Sequence, residues 1–206
     1  MWSSTSPVSR SVTPRAEPLQ RTLQWQVSAP GKRRVTDDAF SNQGHIVTLT
    51  LPHDEVRIVA SGSVEIRAPQ HGRIAERMRL PVQAFTVPTR LTNTSHAIRD
   101  LAARHLQSSR VSSDQALALA GAIRAAVSYQ SGATGAFSSA DDALRLGLGV
   151  CQDHAHLFIA CCHAVGLPVR YVSGYIHPGD GELEHGATHA WVDAWVEDAD
   201  YAGWVA

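Results

Sequence analysis

The sequence predicts an α+β fold, in which an antiparallel β domain comes first and a core of helices and antiparallel strands follows. Apolar and polar residues alternate through the first third of the chain, as half-buried strands require. From Ser95 apolar residues recur at helical spacing, and alternation returns after Pro168. We therefore place a β-rich domain at residues 1–72, a linker at 73–93 and the core at 94–206.

Composition limits the classes of function that the chain can have. The 206 residues are 44% hydrophobic and 18% charged, and the formal net charge is −1. A near-neutral chain has no overall electrostatic attraction for nucleic acid or anionic membranes, so we expect neither as a partner. No apolar run approaches the roughly 20 residues of a membrane span, and residues 1–15 lack the apolar stretch of a signal peptide. These features favour a cytoplasmic protein.

The β-rich domain is predicted from short alternating segments that are separated by turn-forming residues. The predicted strands are 23–27, 46–51, 56–60 and 64–66. Their spacing is typical of a small antiparallel sandwich or barrel. The linker that follows contains Pro81 and Pro88 and has no clear period.

Three helices are predicted ahead of the central segment. Ile98, Leu101 and Leu106 share one face of the first helix. Capping boxes begin the other two, at Ser112 with Gln115 and at Ser139 with Asp142, and Gly147 ends the third.

A fourth helix is predicted from Cys151 to Val165, and Gly166 and Pro168 follow it in the order expected at a helix end. Strands are predicted next at 169–175 and 189–196. A third strand begins at Gly203.

Cys151 and His189 are the candidate catalytic residues. In the first turn of a helix, unpaired backbone N–H groups stabilise a thiolate and can also hold the oxyanion formed by attack on a carbonyl. A helix followed by strand, loop and strand can return His189 to the start of that helix, where it would act as general base and acid. Spacing alone leaves structural roles open for both, and Cys161 and Cys162 lie mid-helix, where packing is favoured.

Metal binding is the alternative for this segment, because soft ligands are dense in it: Cys151, His154, His156, Cys161, Cys162 and His163. Ligands on one helix must share a face, and His156 and His163 point away from the face of Cys151 and His154. The paired ligands from two elements that zinc sites use are lacking. We therefore expect no metal and no other cofactor.

Three sequence blocks resemble the bacterial transglutaminase-like superfamily. They are Gly149-Val150-Cys151-Gln152-Asp153-His154-Ala155-His156-Leu157, Gly166-Leu167-Pro168-Val169-Arg170-Tyr171-Val172-Ser173-Gly174-Tyr175 and Thr188-His189-Ala190-Trp191. The N-terminal region resembles the β-rich domain often fused ahead of that core, although Ser41 stands where the family usually has Gly. The resemblance implies a papain-like core with a metal-free Cys-His-Asp triad, in which Cys151 is the nucleophile and His189 the general base and acid.

The third triad residue is absent from the sequence. In the resembling family an Asp follows the Gly-Trp block, here Gly203-Trp204, and the chain stops at Ala206. Asp193, Asp198 and Asp200 all precede Trp204 and are not its equivalents. We therefore expect a C-terminally truncated chain whose activity is impaired.

Two functions are carried forward from the sequence. The first is thiol-dependent acyl transfer or amide hydrolysis on a protein or peptide substrate, with protease, amidase and cross-linking activities left open. In this function Trp191 is a candidate substrate-binding residue, and core packing is its alternative role. The second is a non-catalytic scaffold or peptide-binding module of the same fold.

Overall fold

A computed structural model describes residues 13–14, 19–50, 52–75, 80–108, 110–176 and 188–206. The chain divides into two compact units, Met1–Ala68 and Pro69–Ala206. Each unit has its own secondary structure, and the α+β class predicted from the sequence is confirmed.

The part of the first unit that the structure describes contains two antiparallel strand pairs. β1 (Gln20–Ser28) pairs with β4 (Val59–Ile66), and β2 (Lys32–Asp37) pairs with β3 (Gln43–Thr48). The sequence analysis missed β2 because its residues are mostly charged or polar, and all six are exposed in the structure. A strand exposed on both faces carries no alternation for a pattern to detect.

The turn between β2 and β3 explains one departure from the family pattern. Ser41 has a φ of 61°, in the left-handed region that glycine adopts without steric cost. The carboxylate of Asp38 accepts hydrogen bonds from the backbone N–H groups of Phe40 and Asn42, each at 2.8 Å, and so stabilises the turn without a glycine.

Within the described residues of the second unit, four α-helices match those predicted. They are α1 (His96–His105), α2 (Ser113–Ala126), α3 (Ala140–Leu146) and α4 (Cys151–Ala164). The hydroxyls of Ser95, Ser112 and Ser139 cap the first three by accepting a backbone hydrogen bond. None of the described helices is long and apolar enough to cross a membrane.

Two sheets accompany the helices of the second unit. The larger sheet is antiparallel and has the order β5 (Arg73–Ile74), β10 (Tyr201–Val205), β9 (Thr188–Asp198), β8 (Val169–Tyr175). A short parallel pair joins β6 (Ser128–Tyr129) to β7 (Leu148–Gly149).

Part of the predicted linker 73–93 contributes to the core of the second unit. β5 pairs with β10, and the ring of Phe85 meets the buried ring of Trp204 edge to face at a centroid distance of 5.4 Å. Short pairings of this kind depend on residues more than 100 positions away, so no local pattern predicts them.

Helix α4 is the central element of the second unit. Nine of its residues are buried, on all sides of the helix, because α4 packs against the other three helices and against β8 and β9. A helix fixed on every side holds its first residue, Cys151, in a defined position.

Candidate active site

Cys151 is the first residue of α4 and is half-buried. The residue before it, Val150, is the N-cap and has no side chain that can accept a hydrogen bond from the helix. The N–H groups of the first turn are therefore not covered by a capping side chain. Such groups stabilise negative charge on a thiolate or on an oxyanion.

The carboxylate of Asp153 stabilises the start of α4 by hydrogen bonds. Its side chain is 1% exposed, and its carboxylate accepts hydrogen bonds from the Val150 N–H at 2.7 Å and the Thr134 hydroxyl at 2.5 Å. A Cβ placed on Gly149 would lie 2.8 Å from the Cβ of Asp153, closer than real Cβ contacts. Glycine at position 149 therefore leaves room for the Asp153 side chain beside the backbone that leads to Cys151.

His154 ties the first turn of α4 to the end of α2. Its Nδ1 lies 2.9 Å from the carbonyl oxygen of Val150, and its Nε2 lies 2.9 Å from the carbonyl oxygen of Val127. With both ring nitrogens in backbone contacts, His154 acts in fixing the helix start.

The other two cysteines lie in the core. The Cys161 thiol contacts the carbonyl oxygen of Ile98 at 3.8 Å, and burial raises its pKa to about 12. Burial holds the pKa of the Cys162 thiol well above its usual range, and the neighbouring Cys161 raises it further. Neither can supply a thiolate near neutral pH, so Cys151 is the candidate nucleophile among the three.

Tyr171 of β8 flanks the start of α4. Its ring lies 5.4 Å from the ring of His156, and its side chain is 41% exposed. Burial raises the pKa of the Tyr171 hydroxyl, and the charges of Cys151 and Asp153 raise it further. The hydroxyl therefore stays protonated beside Cys151 as a potential hydrogen-bond donor.

His189 lies near the start of β9, directly opposite Gly174 of β8. Tyr171, three positions before Gly174, packs on His156 of α4. Side chains alternate along a strand, so the His189 side chain leaves the other face of the sheet from Tyr171.

No hydrogen bond joins the Cys151 thiol to the His189 ring within the described ranges. Catalytic hydrogen bonds are often long without substrate and tighten when it binds. Trp191 makes an edge-to-face contact with the His189 ring, at a centroid distance of 4.7 Å and an interplanar angle of 68°. Its indole is 37% exposed, and its role in substrate binding stays a prediction.

The three acids near the end of β9 have structural partners, as expected of residues outside the triad. Asp193 binds the Arg170 guanidinium at 2.7 Å, and four residues of strand separate it from His189 by about 13 Å. Asp198 accepts hydrogen bonds from the backbone N–H and hydroxyl of Ser113, which lower its pKa. The pKa of Asp200 is lowered by the Arg73 guanidinium.

The histidines considered as metal ligands, His156 and His163, contact other groups of the protein. His163 Nε2 lies 3.1 Å from the carbonyl oxygen of Phe85, while His156 packs on Tyr171. Among the residues that the structure describes, no three His, Cys, Asp or Glu side chains converge as metal ligands would.

Acidification should destabilise the protein through His156. Burial lowers the pKa of His156, the Asp153 charge offsets part of that effect, and Nδ1 of His156 has no hydrogen-bond partner among the described residues. The unfolded chain therefore takes up the proton first, and the free energy of unfolding decreases as pH falls below about 6.5. Between about pH 7 and pH 5, we expect the melting temperature of His156→Phe to decrease less than that of the wild type.

His163 is the matched control for this prediction. Burial also lowers the pKa of His163. The His156→Phe protein should therefore keep part of the pH dependence of the melting temperature. The double variant His156→Phe with His163→Gln should lose the remainder. Equal pH slopes in the wild type and His156→Phe would contradict the assignment.

Taken together, a buried helix that begins at Cys151 and packs on an antiparallel sheet that carries His189 has the architecture of a papain-like core. Residues 99–206 match the Transglutaminase-like superfamily, and residues 4–65 match the Bacterial transglutaminase-like N-terminal region. The chain belongs to the transglutaminase-like superfamily.

Individual relatives agree with this membership. The chain is 33% identical over 168 residues to an uncharacterised protein of Mycobacterium leprae, which covers 74% of this chain and 60% of the relative. It is 30% identical over 207 residues to an uncharacterised protein of Mycobacterium tuberculosis, which covers 90% of this chain and 66% of the relative. The chain thus spans less than two thirds of the length of these relatives.

A solved structure shares the fold. A crystal structure from Cytophaga hutchinsonii, provisionally described as a cysteine protease, superposes with a TM-score of 0.67 at 22% identity. The match covers 95% of this chain and 68% of that one.

Proposed function

We propose that the protein is a thiol-dependent acyl-transfer enzyme in which Cys151 is the nucleophile and His189 the general base and acid. The observation that carries the proposal is the contrast among the three thiols. Cys151 is half-buried at a helix start whose N-cap side chain cannot accept a hydrogen bond, whereas Cys161 and Cys162 are buried and held in the thiol form. Membership of the transglutaminase-like superfamily supports the same assignment.

The reaction follows from these two side chains. His189 accepts the Cys151 proton, and the thiolate sulfur attacks the carbonyl carbon of an amide, whose oxygen becomes an oxyanion near the first-turn N–H groups. The C–N bond then breaks, and His189 donates its proton to the leaving amine or ammonia. Water or a second amine attacks the resulting thioester and releases the Cys151 thiol.

A protein or peptide is the proposed substrate. Two exposed rings leave the same face of β8, the strand that flanks the helix start: Tyr171 and Tyr175. Aromatic rings with one open face bind extended peptide segments through apolar contact, while their polar atoms hydrogen-bond to the backbone.

The test is covalent acylation by p-nitrophenyl acetate, followed by intact mass and peptide mapping. We expect one acetyl group on Cys151, released by an added primary amine with formation of the acetamide. Cys151→Ala should lose the adduct entirely. The control is Cys162→Ala, which removes a buried thiol and should leave the Cys151 adduct in place.

A folded wild-type protein that forms no more Cys151 adduct than a short cysteine peptide would overturn the proposal. The chain would then be a peptide-binding module of the same fold, since fold alone does not establish chemistry.

A further inference from the structure

We infer that Trp191 is a positioning residue that holds the His189 imidazole in its working orientation, and that Gly174 provides the space in which the Trp191 indole lies. The inference rests on the proposed function of His189. It assigns to Trp191 a role different from binding substrate.

The strand register puts these three residues side by side. His189 and Trp191 are two positions apart on β9, so their side chains leave the same face of the sheet. Gly174 is directly opposite His189, and Val172 is directly opposite Trp191. Gly174 is therefore the diagonal neighbour of Trp191, within reach of a large aromatic side chain.

The indole occupies the space above Gly174. A Cβ added at Gly174 would lie 3.2 Å from Cζ3 and 3.8 Å from Cη2 of Trp191, so the six-membered ring lies against the bare backbone of β8. Glycine inside a strand often marks such a close approach. Any side chain at position 174 would push the indole away from the sheet.

The same indole restricts the imidazole. The rings of Trp191 and His189 meet edge to face at 4.7 Å, a favourable geometry for an aromatic pair. An imidazole in contact with a fixed indole on one side cannot rotate freely about its side-chain torsions. The acids of β9 do not provide this restraint, because Asp193 is about 13 Å along the strand and binds Arg170.

Orientation matters because proton transfer needs the imidazole within hydrogen-bond reach of the sulfur. When Trp191 is lost, the His189 imidazole samples a wider set of rotamers. We expect Trp191→Leu to slow acetylation of Cys151 by about 10- to 100-fold, since small misplacements of a reacting group have effects of that size. Trp191→Phe keeps a ring beside His189 and should restore most of the rate.

Gly174→Ala tests the same contact from the other strand. The added methyl group displaces the indole by a few tenths of an ångström, so we expect a slower rate than the wild type and a faster rate than Trp191→Leu. Trp195→Leu is the matched control. Trp195 lies on the same face of β9 and contacts the ring of Trp204 at 5.5 Å, so its loss should leave the rate per folded molecule unchanged.

The decisive readout is the NMR spectrum of the His189 ring in the full chain, which does not depend on activity. In the wild type, the ring protons should show the ring-current shift of a neighbouring indole and a single tautomer. Trp191→Leu should move both features towards those of a free histidine, Gly174→Ala should move them partly, and Trp195→Leu should leave them in place.

The possible failures are distinguishable. Unchanged His189 signals in Trp191→Leu would overturn the positioning role, whatever the activity. A Trp191→Leu protein with a raised KM for acetylation and an unchanged kcat would also overturn it, in favour of substrate binding. Shifted His189 signals in a wild-type protein that forms no Cys151 adduct would uphold the contact and refute the proposed function instead.

Discussion

His189→Ala is expected to lower the rate of Cys151 acetylation by about 10²- to 10⁴-fold near neutral pH, the range typical of losing a general acid or base. Without the imidazole, the group assigned to accept the Cys151 proton and to return it to the leaving group is missing. The residual rate comes from the first-turn N–H groups, which still stabilise the thiolate and the oxyanion. The rate is measured from the p-nitrophenolate burst together with the mass of the adduct.

His154→Gln is the control for this variant. His154 is also a histidine beside Cys151, but both of its ring nitrogens contact backbone carbonyls. It should therefore change the melting temperature more than the rate per folded molecule. A His189→Ala protein that is acetylated as fast as the wild type would remove His189 from the mechanism.

Asp193→Ala is expected to cost about 3–5 kcal/mol of folding free energy, the range for breaking a buried ion pair. Asp193 and Arg170 lie opposite one another on β9 and β8, and both side chains are nearly buried at a separation of 2.7 Å. The guanidinium also stacks on the buried ring of Trp204 at 4.4 Å. Removing the carboxylate takes away the countercharge of a nearly buried guanidinium that lies on the ring of Trp204.

The double variant Arg170→Leu with Asp193→Leu separates the charge effect from the loss of contacts. It removes both charges and keeps apolar bulk, so we expect a free energy of unfolding much closer to that of the wild type. Denaturant titration of the three proteins measures the difference. Equal destabilisation in Asp193→Ala and the double variant would mean that the pair stabilises the sheet by packing alone.

Sequence periodicity predicted the helices of the second unit because their signals are local. The Ser112 and Ser139 caps, the apolar face of α1 and the Gly166–Pro168 end of α4 all lie within a few residues of the features that they specify. Cys151 and His189 were predicted as catalytic residues in the same way, from the helix start and the strand start.

The contacts that support those two residues could not be predicted from local patterns. Thr134 reaches Asp153 across 19 positions, and Arg73 reaches Asp200 across 127. The sequence gives Gly174 no feature that distinguishes it from other strand residues. The strand register and the contact with the Trp191 indole appear only in the structure. Such pairings are set by tertiary packing and leave no period in the sequence.

The measurement that tests the central claim most directly is the rate of Cys151 alkylation by iodoacetamide as a function of pH. At about pH 6 a free thiol with a pKa of about 8.5 is almost entirely protonated and reacts slowly. If Cys151 and His189 form a thiolate–imidazolium pair, the folded wild type should react at least about tenfold faster than free cysteine at that pH, and His189→Ala should lose most of this advantage. A wild-type rate that follows the free-cysteine curve from about pH 6 to pH 9 would contradict the account.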